Sequence, residues 1–294
     1  MKIFLTGATG FLGEYVINEL LKEKHTIQVL VRSPLSLEKI KGIEIVKGDI
    51  TSPGTYAGAI RGCDAVIHLA GAVGYGQTFE NCIKVNVEGT AGIAAAAAAS
   101  GIRRFIHCSS VSVYGRVPDV KLYEDAPYKK INDPYGDTKI DAEKVLLQMK
   151  DRLDLTIFRP TVIYGKGDMV FLQPLASKIM SGKFKVIGHG ENRITLIHAK
   201  DVARAMVMVL KNKKTFGRIY NLSNTDNLMV KELAALVAQA TGSNRPIKHI
   251  PYKLALAVAW LMELVFPIFK QKPPFNRFAV RVLGRQYNYM TDAF

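Results

Sequence analysis

Little in this sequence invites covalent or metal cross-linking. Its 294 residues include only three cysteines, Cys63, Cys82 and Cys108, far apart and without a C-x-x-C pair. They cannot all pair and lack zinc-like spacing, so buried thiols in a reducing compartment are expected, with no metal site. The opening MKIFLTGATG runs straight from a strand-like segment into glycines, without the basic, apolar and cleavage regions of a signal peptide. A cytoplasmic protein is therefore expected. No repeat and no low-complexity linker interrupts the chain. The most apolar stretch, 254–269 (LALAVAWLMELVFPIF), has 16 residues and contains Glu263 and Pro267. That is short of the roughly 20 residues of a bilayer span.

What is abundant is apolar content and positive charge. Apolar residues make up 48% of the chain, enough to bury a sizeable core. A disordered chain and a disulfide-stapled miniature are both excluded. Forty Lys and Arg against 25 Asp and Glu give a net charge of +15, which points towards anionic partners. Nucleic acid is set aside, because the basic residues lack an aromatic-interleaved module or a recognition motif. From residue 241 onward eight basic residues (Arg245, Lys248, Lys253, Lys270, Lys272, Arg277, Arg281 and Arg285) accompany Glu263 and Asp292. This basic apolar region leaves three readings open: a core or lid helix with a solvated edge, a partner-subunit contact, or peripheral contact with an anionic membrane through 252–285.

Short apolar runs at Lys2–Leu5, Thr26–Val31, Ile43–Val46, Ala65–Leu69 and Arg104–His107 predict strands. Helices are expected at 12–22, 55–61 and 85–99, the last almost solid alanine from Ala94 to Ala99, then from about Tyr135. A further strand follows at Leu155–Phe158. This alternation predicts an α/β fold, a Rossmann-type doubly wound parallel sheet. After Arg159, Gly165, Gly167, Gly182, Gly188 and Gly190 cut the chain into short pieces, with helices expected at 200–211 and 229–241. The expected division is a nucleotide-binding core over 1–160 and a smaller C-terminal substrate lobe over 161–294, with about 190–225 returning to the core.

The run TGATGFLG sets Gly7, Gly10 and Gly13, with Thr9, Phe11 and Leu12 between them, after the first strand and at the mouth of a helix. Glycine there permits a tight turn and close backbone approach to a pyrophosphate, which the helix N-terminus then favours. The second strand ends VLVRSP, with Arg32 and Ser33 where a carboxylate would meet a free ribose hydroxyl and no acid until Glu38. A guanidinium suits a 2′-phosphate, so NADP(H) is favoured and NAD(H) stays open. Asp49, beside Ile50 in GDI, could meet an adenine amino group or cap its own turn. In HLAG, Leu69, Ala70 and Gly71 should pass close to the cofactor, whereas His68 is expected as a satisfied core histidine.

Tyr135 and Lys139 in YGDTK stand at i and i+4, on one helix face. A tyrosine needs a nearby cation to work as an acid–base group at neutral pH, so Lys139 is expected to lower its pKa. Ser110, at the end of the fifth strand, could hold a substrate oxygen beside them.

With these residues in place, the sequence resembles an extended short-chain dehydrogenase/reductase. TGATGFLG, GDI, HLAG, NVEGT (86–90), SSVSVYG (109–115), YGDTK, RPTVIYG (159–165) and IHAKDVARA (197–205) recur in that family's order. The resemblance implies that Gly7, Gly10 and Gly13 bind pyrophosphate and that Ser110, Tyr135 and Lys139 are catalytic. It places Asn86 and Pro160 near the cofactor and gives His198 and Asp201 structural bonding. A homodimer packed through 91–99 or 140–150 is a further family expectation.

Nucleotide-sugar members usually carry R-x-F-N and R-D-F-I-H; here Val162 and Ile194 replace the asparagine and arginine, with Arg193 beside the gap. RPTVIYGKGD instead resembles dihydroflavonol reductases, 3β-hydroxysteroid dehydrogenases and hopanoid-associated relatives. In such relatives the last motif runs on into another helix, whereas this sequence ends at Phe294. The expectation is an oxidoreductase for a small-molecule secondary alcohol or ketone of apolar or aromatic character. The alternatives are a nucleotide-sugar 4-epimerase/dehydratase holding NAD(P) tightly and a non-catalytic dinucleotide-binding sensor or assembly protein.

Overall fold

The computed structural model describes residues 1–33, 41–74, 76–269, 271, 273, 275–291 and 293. Its main sheet has seven strands, all parallel, in the spatial order Arg218–Leu222, Asp154–Pro160, Arg104–Cys108, Ala65–His68, Lys2–Thr6, Thr26–Val31 and Ile43–Lys47. The chain starts in the middle, builds out to one edge, then jumps back to continue on the other side. The reversal falls between Lys2–Thr6 and Ala65–His68, and a doubly wound sheet opens a crevice at such a switch point.

A parallel sheet must be covered on both faces, and the period-2 pattern of the strands supplies two apolar faces. Ile3 and Leu5 join Val16, Ile17 and Leu20 of the Phe11–Lys22 helix and Val202 and Met206 of the Ala199–Met208 helix. Phe4 and Phe105 point the other way, onto Ile93, Ala94 and Ala97 of the Gly89–Ala99 helix and Leu146 of the Pro134–Leu147 helix. The alanine run suits that place, because alanine loses no rotamer freedom and lets a neighbouring helix come close.

Two expected helices differ. Over 55–61 there is only a 3₁₀ turn at Pro53–Thr55 followed by further turns, in a stretch punctuated by Gly54, Gly58 and Gly62, the last at φ +78°. The helix expected at 85–99 starts with a π-helical segment, Ile83–Glu88, before its regular part. Asn86 is buried within that segment.

Beyond the sheet, the helices Leu172–Met180 and Val230–Ala240 enclose a second core with Phe184, Val186, Ile194 and Leu196. The helices Tyr252–Val265 and Arg277–Gly284 add a third cluster, Ala255, Ala259 and Val280 with Ile187. The apolar stretch is longer than the 16-residue run expected from the sequence. The helical run reaches Phe269 through a 3₁₀ turn, giving 18 residues of mean hydropathy 1.7 with 11% of them buried. By length and composition alone it could cross a membrane. One face is nonetheless committed to the lobe: Glu263 accepts from the Arg277 backbone N–H at 2.7 Å and from its Nε at 2.6 Å. Lys270, Lys272, Asp292 and Phe294 lie outside the described residues.

Candidate active site

The sequence-predicted site residues gather along the C-terminal edge of the sheet. Gly7 has φ +75°, and a Cβ on it would stand 2.7 Å from the Ala70 backbone nitrogen. A Cβ on Gly13 would stand 2.4 Å from the Gly7 carbonyl oxygen. Only glycine permits this meeting of the first turn with the loop after the fourth strand. Among the described residues no side chain caps the N-terminus of the Phe11–Lys22 helix, whose N-cap is Gly10. The N–H groups of its first turn therefore remain for an anion. Thr9 and Gly10 are exposed, Phe11 and Leu12 partly buried. This cradle fits a dinucleotide pyrophosphate.

Towards the expected adenosine end, Arg32 and Ser33 are exposed just past the second strand, and Glu38 lies outside the described residues. Asp49 Oδ1 accepts from Thr51 N–H and Oγ1–H, both at 2.8 Å, so its side chain caps a turn. Those bonds, helped by Arg32 and Lys84, hold its carboxyl below the usual range. Ile50 packs against Gly89, where a Cβ would come within 3.0 Å of it.

Past Leu69, the Ala70 N–H donates to Thr6 Oγ1 at 3.2 Å. A Cβ on Gly71 would lie 3.2 Å from Asn86 Oδ1 and 3.5 Å from Lys139 Nζ, so these three groups are neighbours. Asn86 accepts from Ala72 N–H at 2.7 Å and donates to Thr138 Oγ1 at 3.0 Å. It thereby ties this loop to the helix of Tyr135 and Lys139. His68 sits between Thr6 Oγ1 (2.7 Å) and Thr90 Oγ1 (2.9 Å), and burial pushes its pKa down to about 3. It is the satisfied core histidine expected.

The reactive residues come from two elements. The fifth strand ends at Cys108, and Ser110 follows, its Oγ accepting from Ser112 N–H at 3.2 Å. Asp133 caps the Pro134–Leu147 helix by accepting from Gly136 N–H at 3.1 Å, which fixes the turn carrying Tyr135. Ser110 lies close enough to the Tyr135 hydroxyl to favour its ionised form. Lys139 Nζ donates to the Cys108 carbonyl at 2.8 Å and stands 5.9 Å from the Tyr135 ring centre.

The expected lowering of the tyrosine pKa does not appear. Burial pushes Tyr135 well above its ordinary value, and Ser110 opposes this only in part. Burial also lowers the Lys139 pKa. Desolvation is the largest influence on each group, because both are dry.

Pro160 ends the Asp154–Pro160 strand, buried. The sequence reading missed what lies beside it. Arg159 and Glu143 form a fully buried ion pair, Nη2 to Oε2 at 2.6 Å, joined by Ser109, Tyr114 and Tyr128. The signal was available: Tyr135, Lys139 and Glu143 recur every four residues, on one helix face. His198 accepts from Lys200 N–H at 3.1 Å as a helix cap, and exposed Asp201 faces Arg204 at 4.0 Å. The three cysteines are buried free thiols.

A model of the NAD dependent epimerase/dehydratase family matches residues 3–223. The chain is 30% identical to a 2-alkyl-3-oxoalkanoate reductase of Stenotrophomonas maltophilia, over 99% of this chain and 92% of that one. It is 28% identical to a 3 beta-hydroxysteroid dehydrogenase/Delta 5-->4-isomerase of Mycobacterium tuberculosis, over 89% and 74%. Among solved structures, UDP-glucuronic acid 4-epimerase from Bacillus cereus, in complex with NAD, superposes with a TM-score of 0.76 at 23% identity, covering 85% of this chain and 88% of that one. That last likeness concerns the fold.

Proposed function

The chain belongs to the NAD dependent epimerase/dehydratase family, and from that premise we propose an oxidoreductase that interconverts a secondary alcohol and a ketone on an apolar or aromatic small molecule. It is an NAD(P)-dependent dehydrogenase/reductase of the extended short-chain type. The observation that carries the reading is the Ser110–Tyr135–Lys139 cluster at the mouth of the glycine cradle. When bound, the nicotinamide supplies or takes the hydride. In reduction Tyr135 donates its proton to the carbonyl oxygen, which Ser110 holds. Burial suits this direction, since it keeps the phenol protonated until transfer. Lys139, fixed on the Cys108 carbonyl, then stabilises the phenolate left behind.

The cofactor preference proposed is NADP(H), with exposed Arg32 pairing the 2′-phosphate. Gly7 to Gly13, Ile50, Leu69 to Gly71, Asn86 and Pro160 would line its path, with residues 1–160 as the cofactor core and 161–294 mainly the substrate lobe. The same reading makes the protein a cytoplasmic homodimer and lays the open face of Tyr252–Phe269 on an anionic membrane or on a partner subunit. Val162 and Ile194 favour a ketone over a sugar nucleotide, because they offer a diphosphate nothing to bind. Dinucleotide retained through purification, with inversion at one carbon and no cofactor turnover, would instead mark an epimerase. Cofactor binding without turnover of any alcohol or ketone would mark a sensor.

The test is NADPH oxidation against a panel of alkyl oxo acids, steroid ketones and aromatic ketones. Tyr135→Phe should cut turnover by about 10²–10⁴-fold while NADPH binding stays within about twofold. Near-normal turnover in that variant would overturn the assignment. Arg32→Ala should shrink the preference for NADPH over NADH by about tenfold, whereas equal affinities in the unaltered protein would remove the phosphate argument.

A further inference from the structure

Where the core meets the C-terminal lobe, a cavity of about 240 Å³ is lined by Arg116, Arg281 and Arg285 with Tyr252 and Tyr287. Each wall has a cause in the chain. Tyr252 opens the apolar helix, and its ring lies so near Gly284 that a Cβ there would be 2.7 Å from Cδ2. The Arg285 guanidinium covers the other side of that ring, 5.0 Å from its centre. The Tyr287 hydroxyl donates to the Arg281 carbonyl at 3.2 Å, fixing the second aromatic wall. On the core side Gly115 precedes Arg116, and both hold left-handed backbone, φ +65° and +53°. Asn132, next to the lining residue Ile131, is left-handed too, at φ +60°. Such conformations are costly for non-glycine residues and persist where surrounding structure insists on them.

The charges of the arginines are not equally spent. Arg116 Nη2 pairs with Asp133 at 3.2 Å, and that carboxylate caps the helix turn holding Tyr135. Arg281 and Arg285 have no ion-pair partner among the described residues, and the side chain that acts most strongly on the Arg285 charge is Tyr252. Two guanidinium groups on one cavity wall, Arg285 over the Tyr252 ring, suit an oxyanion and the carbons next to it. The Asp133 carboxylate thus links Arg116, on the cavity wall, to the turn that carries the proton donor.

We propose that this cavity binds the anionic end, a carboxylate or phosphate, of the molecule reduced at Tyr135, so that the substrate is an oxo acid or an anionic amphiphile. This rests on the ketone–alcohol reading above and adds the substrate's charge. Arg281 and Arg285 are its specificity-determining residues; Arg116, through Asp133, is a positioning residue.

Turnover and binding are measured separately, so that the two readings can fail apart. With NADPH, an alkyl 3-oxo acid should show a KM about tenfold or more below that of its methyl ester. Arg281→Gln with Arg285→Gln should raise the acid's KM by about tenfold and leave kcat and the ester's KM within about twofold. Returning lysine at both positions should restore part of the loss. Preference for the ester, or equal damage to acid and ester, would overturn the proposal. In the binding arm, octanoate and inorganic phosphate are titrated calorimetrically into the protein with NADPH. Binding that the double variant loses, and octanoate inhibition competitive with the oxo acid, support a substrate subsite. Anion binding that does not compete with substrate, or that survives in the variant, overturns it. If no ketone is reduced, the function reading falls, and the titration still decides whether the arginines hold an anion.

Discussion

The sheet half of the molecule hides its charges, and the C-terminal lobe displays its apolar surface. Beside the sheet, Lys139, Glu143 and Arg159 are almost wholly buried, yet each has a bonded partner. In the lobe, Leu254, Trp260, Leu261, Leu264, Ile268 and Phe269 are all more than half exposed along one helical run. Both states are costly, for opposite reasons: a dry charge needs partners, and a wet apolar face needs cover. The first arrangement is complete within the chain and gives the reactive residues a fixed, water-poor setting. The second is left open among the described residues.

The largest effect should come from breaking the buried pair. Removing one member of such a pair strands the other charge, at about 3–5 kcal/mol. Arg159→Leu should therefore lower the urea midpoint steeply, and Tyr128→Phe, at the rim of the same network, much less. Lys231→Met, which opens the surface pair with Glu191, should leave the midpoint where it was. Similar losses from the sheet pair and the surface pair would erase the distinction between hidden and displayed charge.

A smaller effect sharpens the same contrast through pH. Burial holds His68 near a pKa of about 3, against 6.5 for an ordinary histidine, and His107, stacked on it at 5.2 Å, is also lowered. Below pH about 6.5 the unfolded chain takes up protons that these native rings refuse, so stability falls as pH drops from there towards 3. Among the described residues neither ring nitrogen of His107 has a hydrogen-bond partner, so His107→Phe removes a proton-binding group without stranding a bond. Urea midpoints between pH 7 and 5 should fall less steeply in that variant. An unchanged slope would show that the pair does not carry the acid sensitivity.

The contrast also explains what could be read from the sequence. The three cradle glycines lie within a few residues of one another, as do Tyr135 and Lys139, so strand-then-helix order and i, i+4 spacing were enough to find each motif. The sheet was legible for the same reason, each strand being a short local run. The direction of the Tyr135 pKa was not, since burial is supplied by the whole surrounding fold. The arginine cavity joins positions 116, 252, 281, 285 and 287, separated by more than a hundred residues, and no local pattern marks such a meeting. The helix expected at 55–61 failed through a local signal, Gly54, Gly58 and Gly62, that the apolar spacing outweighed.

The exposed helical face gives the smallest stability effect and the clearest test of what the lobe is for. Leu261 and Leu264 are open to solvent, so Leu261→Glu with Leu264→Glu should change folding stability by no more than about 0.5 kcal/mol per site. An interfacial helix with exposed Lys253 in its first turn is drawn to anionic headgroups, and buried apolar area then holds it there. The unaltered protein should cosediment with vesicles containing phosphatidylglycerol and not with neutral ones, weaken as salt rises, and lose binding in the double variant. Sedimentation velocity without vesicles reads the competing cover: if the same substitutions dissolve a dimer, the face meets a second subunit. Persistence of vesicle binding in the double variant would move the membrane contact elsewhere. A monomer that ignores anionic vesicles would leave the exposed leucines without either partner, and the lobe would then differ from the sheet half only in being less densely packed.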